Sequence, residues 1–387
     1  MTNPAKPKSS KPDAFVMDAN RLDALIGALA SSGHAVMGPR VADGAVILGP
    51  VAGAADLPLG VTDRQEPGRY RLKTVKKDPA YFDFAVGPHT WKKFLFPPRE
   101  KLWSAERAAK GFAVREDGID AARRDKLAFV GVRACELAAI AAQDRVLTGG
   151  EYRSEPYALR REQAFIVVVN CRTSAETCFC ASMNTGPGAG PGYDLALTEL
   201  GGGKDHRFLI DVGTARGEKI LMKLDAKPAK AKDVAAARAA VAQAAKGQRK
   251  MPKSAPTVLA GATDSPRWAD IAQRCLNCAS CTQVCPTCFC NTVTDTTTLD
   301  GSGAERWRHW DSCFTLDFSY IHGGAIRGDG AHRYRQWMTH KLSHWFEQFG
   351  TSGCVGCGRC ITWCPVGIDI TLEARGFVKD AKGKRKG

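Results

Sequence analysis

The sequence has no run of about 18 apolar residues, the length a helix needs to cross a bilayer, which excludes a helical membrane span. Its first residues, Met-Thr-Asn-Pro-Ala-Lys-Pro-Lys, carry no apolar core of the kind a secretion signal requires. No G-x-G-x-x-G follows an expected strand and no P-loop is present, so the usual phosphate-cradling fingerprints are missing. Gly186-Pro-Gly-Ala-Gly-Pro-Gly192 is rich in glycine, but its prolines remove backbone donors and it opens no helix. His340 and His344 stand four apart, yet His-Lys-Leu-Ser-His lacks the glutamate of a zinc peptidase. The expected location is the cytoplasm, where disulfides are disfavoured and abundant cysteine points to metal chemistry.

Cysteine is what the sequence does have, with fifteen in 387 residues. Two runs share one spacing: Cys275-Leu-Asn-Cys278-Ala-Ser-Cys281-Thr-Gln-Val-Cys285-Pro286 and Cys354-Val-Gly-Cys357-Gly-Arg-Cys360-Ile-Thr-Trp-Cys364-Pro365. C-x2-C-x2-C-x3-C-P wraps three thiolates around one corner of a [4Fe–4S] cubane and sends the fourth to the other cluster. The expected ligands are therefore Cys275, Cys278, Cys281 and Cys364 for cluster I, and Cys354, Cys357, Cys360 and Cys285 for cluster II. A chain with this pair of motifs is expected to move electrons.

The remaining cysteines fall into two groups. Leu127–Val132 reads as a buried strand, residues 135–144 as a helix, and Phe165–Val169 as a second buried strand, a βαβ unit with parallel strands. Cys135 and Cys171 directly follow those strands, and Thr177-Cys178-Phe-Cys180 lies close behind. Ligands of open parallel sheets bind beyond the carboxyl ends of the strands. Cys135, Cys171, Cys178 and Cys180 are thus candidates for a third [4Fe–4S] cluster or a zinc ion, with buried free thiols as the alternative. A helix N-terminus is expected to lower the pKa of Cys135. Cys288, Cys290 and Cys313 make an incomplete ligand set and are expected to be structural or to tune cluster II. Arg359, inside the second run, is expected to raise the potential of cluster II if its charge lies near the sulfurs.

The expected architecture is an α/β N-terminal domain plus a C-terminal bacterial-type dicluster ferredoxin module (α+β) with a long helical insertion. Its parts are a disordered basic tail over 1–18, the α/β domain over 19–225, a helical linker over 226–262, the module over 263–372 with its insertion at 287–353, and a basic tail over 373–387. Strands are expected at Arg207–Val212 and Lys219–Leu224, and a helix over 233–246 capped by Asp233. The insertion carries a polar stretch over 292–303, then a helix over 332–349, and is expected to fold back on itself. The formal charge of +15 sits largely in lysine-rich ends and in 223–232. Solvated tails or docking to an acidic partner account for it better than nucleic acid does.

Further segments carry a resemblance: Lys92-Lys-Phe-Leu-Phe-Pro-Pro-Arg-Glu100, Gly131-Val-Arg-Ala-Cys135-Glu136, Cys178-Phe-Cys-Ala-Ser-Met-Asn-Thr-Gly-Pro187, Cys275 through Cys290, Trp310-Asp-Ser-Cys313, His340-Lys341 and Cys354 through Pro365. In this order they resemble the beta subunit of cytosolic sulfhydrogenases, the NAD(P)-linked [NiFe] hydrogenases. That family also includes the corresponding iron–sulfur subunit of anaerobic sulfite reductase. The likeness spans roughly residues 30–372 and departs from the family at Ala134-Cys135-Glu136, where Pro-Cys-Asp is common. It implies an electron-transfer subunit between two partners: a diaphorase-type subunit that binds flavin and NAD(P), and a catalytic one bearing [NiFe] or sirohaem. A catalytic iron–sulfur protein acting on sulfur or disulfide substrates is the remaining alternative.

Overall fold

The structure, a computed structural model, describes residues 14–383. Leu127–Val132 and Phe165–Val169 are apolar along their length and form buried strands at the centre of an eight-stranded sheet. The strand order is Lys227–Pro228, Ala14–Asp18, Arg207–Val212, Leu195–Leu200, Phe165–Val169, Leu127–Val132, Ala35–Ala42, Ala45–Pro50. The four strands from Leu195–Leu200 to Ala35–Ala42 run parallel, and antiparallel pairs flank them. Side chains alternate across the sheet. Val167 and Val169 face a core built on Leu22, Leu25, Ile26 and Leu29 of the helix Leu22–Ser31. Ile166 and Val168 face the opposite core, with Leu137 and Ile140 of the helix Ala134–Leu147.

The pairing of Leu127–Val132 with its neighbour slips by one residue at Gly131. Gly131 has φ of +94°, and a Cβ there would lie 3.1 Å from Pro39 and 3.2 Å from Phe82, so both backbone and space call for glycine. This bulge lies four residues before Cys135.

Several expectations are corrected. Ala14–Asp18, placed in a disordered tail, is a strand paired residue by residue with Arg207–Val212 because its apolar residues complete the sheet. The rest of that tail, 1–13, lies outside the described residues, as do 384–387. Lys219–Leu224 is not a strand. Thr214 accepts from Gly217 N and starts the helix Ala215–Leu221, whose Ile220 and Leu221 join Leu224 in the core. Asp233 is not the cap of the helix Ala231–Ala245 but sits in its first turn, accepting from Lys230 N. The expected tail from 373 is instead most of the helix Ile370–Gly383, which buries Ile370, Ala374 and Phe377, the last with its ring 4.2 Å from that of Trp268.

The insertion is only half helical. Asn291–Thr297 and Gly303–Trp310 fold back on one another as a hairpin. It pairs with Arg99–Arg107, which also pairs with Phe112–Arg115, making a four-stranded sheet. The second half is the helix Gly330–Thr339, which widens into a π-helical turn at His340–His344 and continues over Trp345–Phe349. Among the described residues no helix is long and apolar enough to cross a membrane.

Candidate metal centre

The two cysteine runs share a backbone device. Asn277 and Ala279 have φ of +52° and +62°, and Gly356 and Gly358, at the same offsets in the second run, have φ of +65° and +79°. Left-handed residues on either side of the middle cysteine curl the chain and turn N–H groups inward. Asn277 N donates to Cys275 Sγ at 3.4 Å, Gly356 N to Cys354 Sγ at 3.5 Å, and Ile368 N to Cys364 Sγ at 3.3 Å. The second run has no freedom to use larger residues. A Cβ on Gly356 would lie 2.7 Å from Cys180 N and the Phe179 carbonyl carbon, and one on Gly358 would lie 2.5 Å from Thr177 O.

At the first site a cysteine of the second run joins three of the first. Cys275, Cys278, Cys281 and Cys364 line one cavity together with Cys360 of the second run, and Phe314, Tyr334 and Trp337 wall it. At the second, burial first and the Cys357 and Cys285 sulfurs after it push the Cys354 thiol up to about 12. Burial followed by Cys354, Cys357 and Cys285 likewise raises Cys360 well above the ordinary thiol range. Thiols packed this closely in an apolar pocket repel one another as anions. A cationic iron–sulfur core reconciles them, because metal binding replaces the protons, so the residues present fit the group.

The third set also comes together, beyond the carboxyl ends of Leu127–Val132 and Phe165–Val169. Burial raises Cys135 well above the thiol range, with Cys180 and Cys357 next in effect, so the expected helix-end lowering is overridden by the apolar surroundings. Burial pushes Cys180 up to about 12, with Cys171 the first sulfur to add to it. Burial also raises Cys178, again followed by Cys180 and Cys171. This set abuts the second run: Phe179 N donates to Gly356 O at 2.9 Å, and Cys135, Cys180 and Cys357 share one buried cluster. Among the described residues no three His, Cys, Asp or Glu side chains converge as a single metal ion would require.

A 4Fe-4S dicluster domain model matches residues 274–368. The chain is 30% identical over 310 residues to sulfhydrogenase 2 subunit beta of Pyrococcus furiosus, covering 78% of this chain and 86% of that relative. The chain belongs to the sulfhydrogenase beta-subunit family. It is an iron–sulfur protein of the [4Fe–4S] type. No solved structure matches it.

In this beta-subunit chain the structure brings in residues that spacing did not reveal. Arg359 is buried beside Cys357, but Glu136 Oε1 accepts from it at 2.6 Å, and Gly87 O and His89 O accept from it as well. Glu136 thus offsets the charge that Arg359 was expected to apply to cluster II. Cys288, Cys290 and Cys313 lie beside Cys285 and two buried lysines, Lys92 and Lys341. Burial pulls the Lys92 ammonium down to about 8 despite the neighbouring Cys288 and Cys285. At Lys341 burial acts the same way, but Cys285, Cys288 and Cys354 overcome it and hold the group above the ordinary lysine range. Both lysines stand in segments that carry the family resemblance, but their burial was not legible there, since lysine is by default a surface residue. The glycine-rich 186–192 segment packs on Cys180, and Pro187 O accepts from Cys171 N at 3.2 Å; it encloses the third thiol set rather than a phosphate.

Proposed function

We propose that this chain relays electrons within a [NiFe] sulfhydrogenase, between the catalytic subunit of that complex and a diaphorase-type partner that binds flavin and NAD(P). Cluster I is held by Cys275, Cys278, Cys281 and Cys364, and cluster II by Cys354, Cys357, Cys360 and Cys285. Cys135, Cys171, Cys178 and Cys180 hold a third [4Fe–4S] cluster. Each cubane supplies one-electron uptake and release. The protein's own residues exclude water, donate N–H groups to sulfur and set the local charge.

The observation that carries this reading is the serial contact of three thiol sets. The third set touches Cys357 of the second, and Cys360 of the second borders the cavity of the first. Among the fifteen cysteines only Cys278, at the far end of this series, is exposed. A series running from the interior of the sheet domain to the surface suits transfer between partners better than chemistry on a bound substrate.

The test is iron and acid-labile sulfide analysis of anaerobically purified wild type and of Cys178→Ser/Cys180→Ser. The expected contents are about twelve irons and about eight respectively. About eight in both would remove the third cluster.

A further inference from the structure

The segment that follows Cys285 is gripped by two lysines that have no carboxylate partner in any described hydrogen bond. Lys92 Nζ donates to Cys288 O at 3.0 Å and lies 3.7 Å over the Trp310 ring. Lys341 Nζ donates to Thr287 Oγ1 at 2.9 Å and to Gly353 O at 3.4 Å. Both side chains are 5% exposed or less, and a buried ammonium without an anion is strongly disfavoured. The anionic groups within reach are sulfurs. Thr287 Oγ1 donates to Gly353 O at 2.7 Å and lies 3.2 Å from Cys285 Sγ, and Gly353 directly precedes Cys354.

The backbone is shaped to hold Lys341 there. Lys341 lies in the π-helical turn His340–His344, a local widening of the helix of the kind often found at functional sites. Its carbonyl accepts from Gly353 N at 2.9 Å, so one residue contacts the start of the second run with both backbone and side chain. Gly353 allows this approach, since a Cβ there would lie 2.6 Å from the Trp345 ring. The first site has no counterpart. The guanidinium beside Cys275 is that of Arg274, half exposed and paired with Glu373 at 2.8 Å.

We propose that Lys341, acting through Thr287, is a positioning residue for electron transfer: a fixed buried cation that makes the site of Cys285, Cys354, Cys357 and Cys360 easier to reduce than the site of Cys275, Cys278, Cys281 and Cys364. The proposal rests on the relay reading above. Adding an electron adds negative charge, and a cation one hydroxyl away in a water-poor interior favours that state. Electrons are then held at the inner cluster rather than at the one nearest the surface.

The experiment is a redox titration followed by EPR on the full-length holoprotein, for wild type, Lys341→Met, Lys341→Arg and Thr287→Val, with iron measured in each. The expected result is one cluster midpoint moving to more negative potential in Lys341→Met while the others stay, with Lys341→Arg recovering most of the shift. Thr287→Val should move the same midpoint the same way by less. Unchanged midpoints in Lys341→Met with iron retained would overturn the proposal. If that variant loses iron, an iron-replete Thr287→Val with unmoved midpoints overturns it instead. Wild-type clusters that titrate normally while the variants do not shift leave the relay reading standing; wild type without reducible iron removes that reading itself.

Discussion

Glycines 356 and 358 show how single residues decide the iron-binding geometry. Asn277 and Ala279 hold the same left-handed backbone in the first run, where Ala279 lines the cavity, whereas the second run faces the 177–180 backbone. Gly356→Ala is therefore expected to cost about 1–3 kcal/mol in strain, lowering both the melting temperature and the iron content. Ala279→Gly should leave both close to wild type. Calorimetry and iron analysis on the two variants check the contrast. His340 supplies a pH dependence. Burial, then the Lys341 charge, lowers its pKa from 6.5 to about 4. The folded state thus binds this proton less readily than the unfolded chain. Stability from this group is present above about pH 6.5 and is lost as pH falls towards 4, by up to about 3 kcal/mol at 1.36 kcal/mol per unit. Denaturant unfolding at pH 7.5 and 5 should show the loss in wild type and a flatter profile in His340→Gln.

The hairpin Asn291–Trp310 is the element that joins the two halves of the chain, and its anchor is a buried charge network. Glu100, on the strand Arg99–Arg107, accepts from Arg160 Nη1 at 2.5 Å through Oε1 and from Arg308 of the hairpin through Oε2. Arg160 also pairs with Asp125 at 2.7 Å. Glu100→Ala leaves the buried Arg308 guanidinium without a carboxylate and Arg160 with Asp125 alone, and is expected to destabilise by about 3–5 kcal/mol, with the hairpin's amides losing hydrogen-exchange protection first. The same region marks where the sequence ceases to be legible. Leu127–Val132 and Phe165–Val169 are readable because every residue is apolar, and Cys135 and Cys171 follow them visibly. Asn-Thr-Val-Thr-Asp-Thr-Thr reads as a polar stretch, and its strand character comes from pairing with Gly303–Trp310 and, through it, with a strand far back in the chain. Lys-Ile-Leu-Met-Lys-Leu is apolar enough to read as a strand, yet the Thr214 cap makes its first half helical. Spacing alone leads to the expectation that Cys285 and Cys364 cross over, and Cys364 does line the cavity of Cys275, Cys278 and Cys281. The burial of the two lysines is not readable in this way, because only the tertiary fold takes them out of water.

At the scale of the molecule, the dicluster part is not a module hung on a linker. Arg359 pairs with Glu136, Thr362 Oγ1 donates to Gln65 Oε1 at 2.8 Å, Gly68 N donates to Ile361 O at 3.1 Å, and Trp363 stacks on Tyr70 with rings 5.1 Å apart. These contacts cover the second run with residues of the sheet domain. Residues 263–383 expressed alone should therefore retain fewer irons than the full chain does in the same region. A stable fragment with about eight irons would contradict that. Whether the chain carries electrons on clusters placed in series can be decided by stepwise anaerobic reduction of the full-length holoprotein, counting electrons taken up while recording EPR. Clusters in series should take up at least two electrons reversibly and give signals broadened by magnetic coupling between neighbours. Iron that takes up no electrons, or metal present without acid-labile sulfide, would contradict an electron-carrying role.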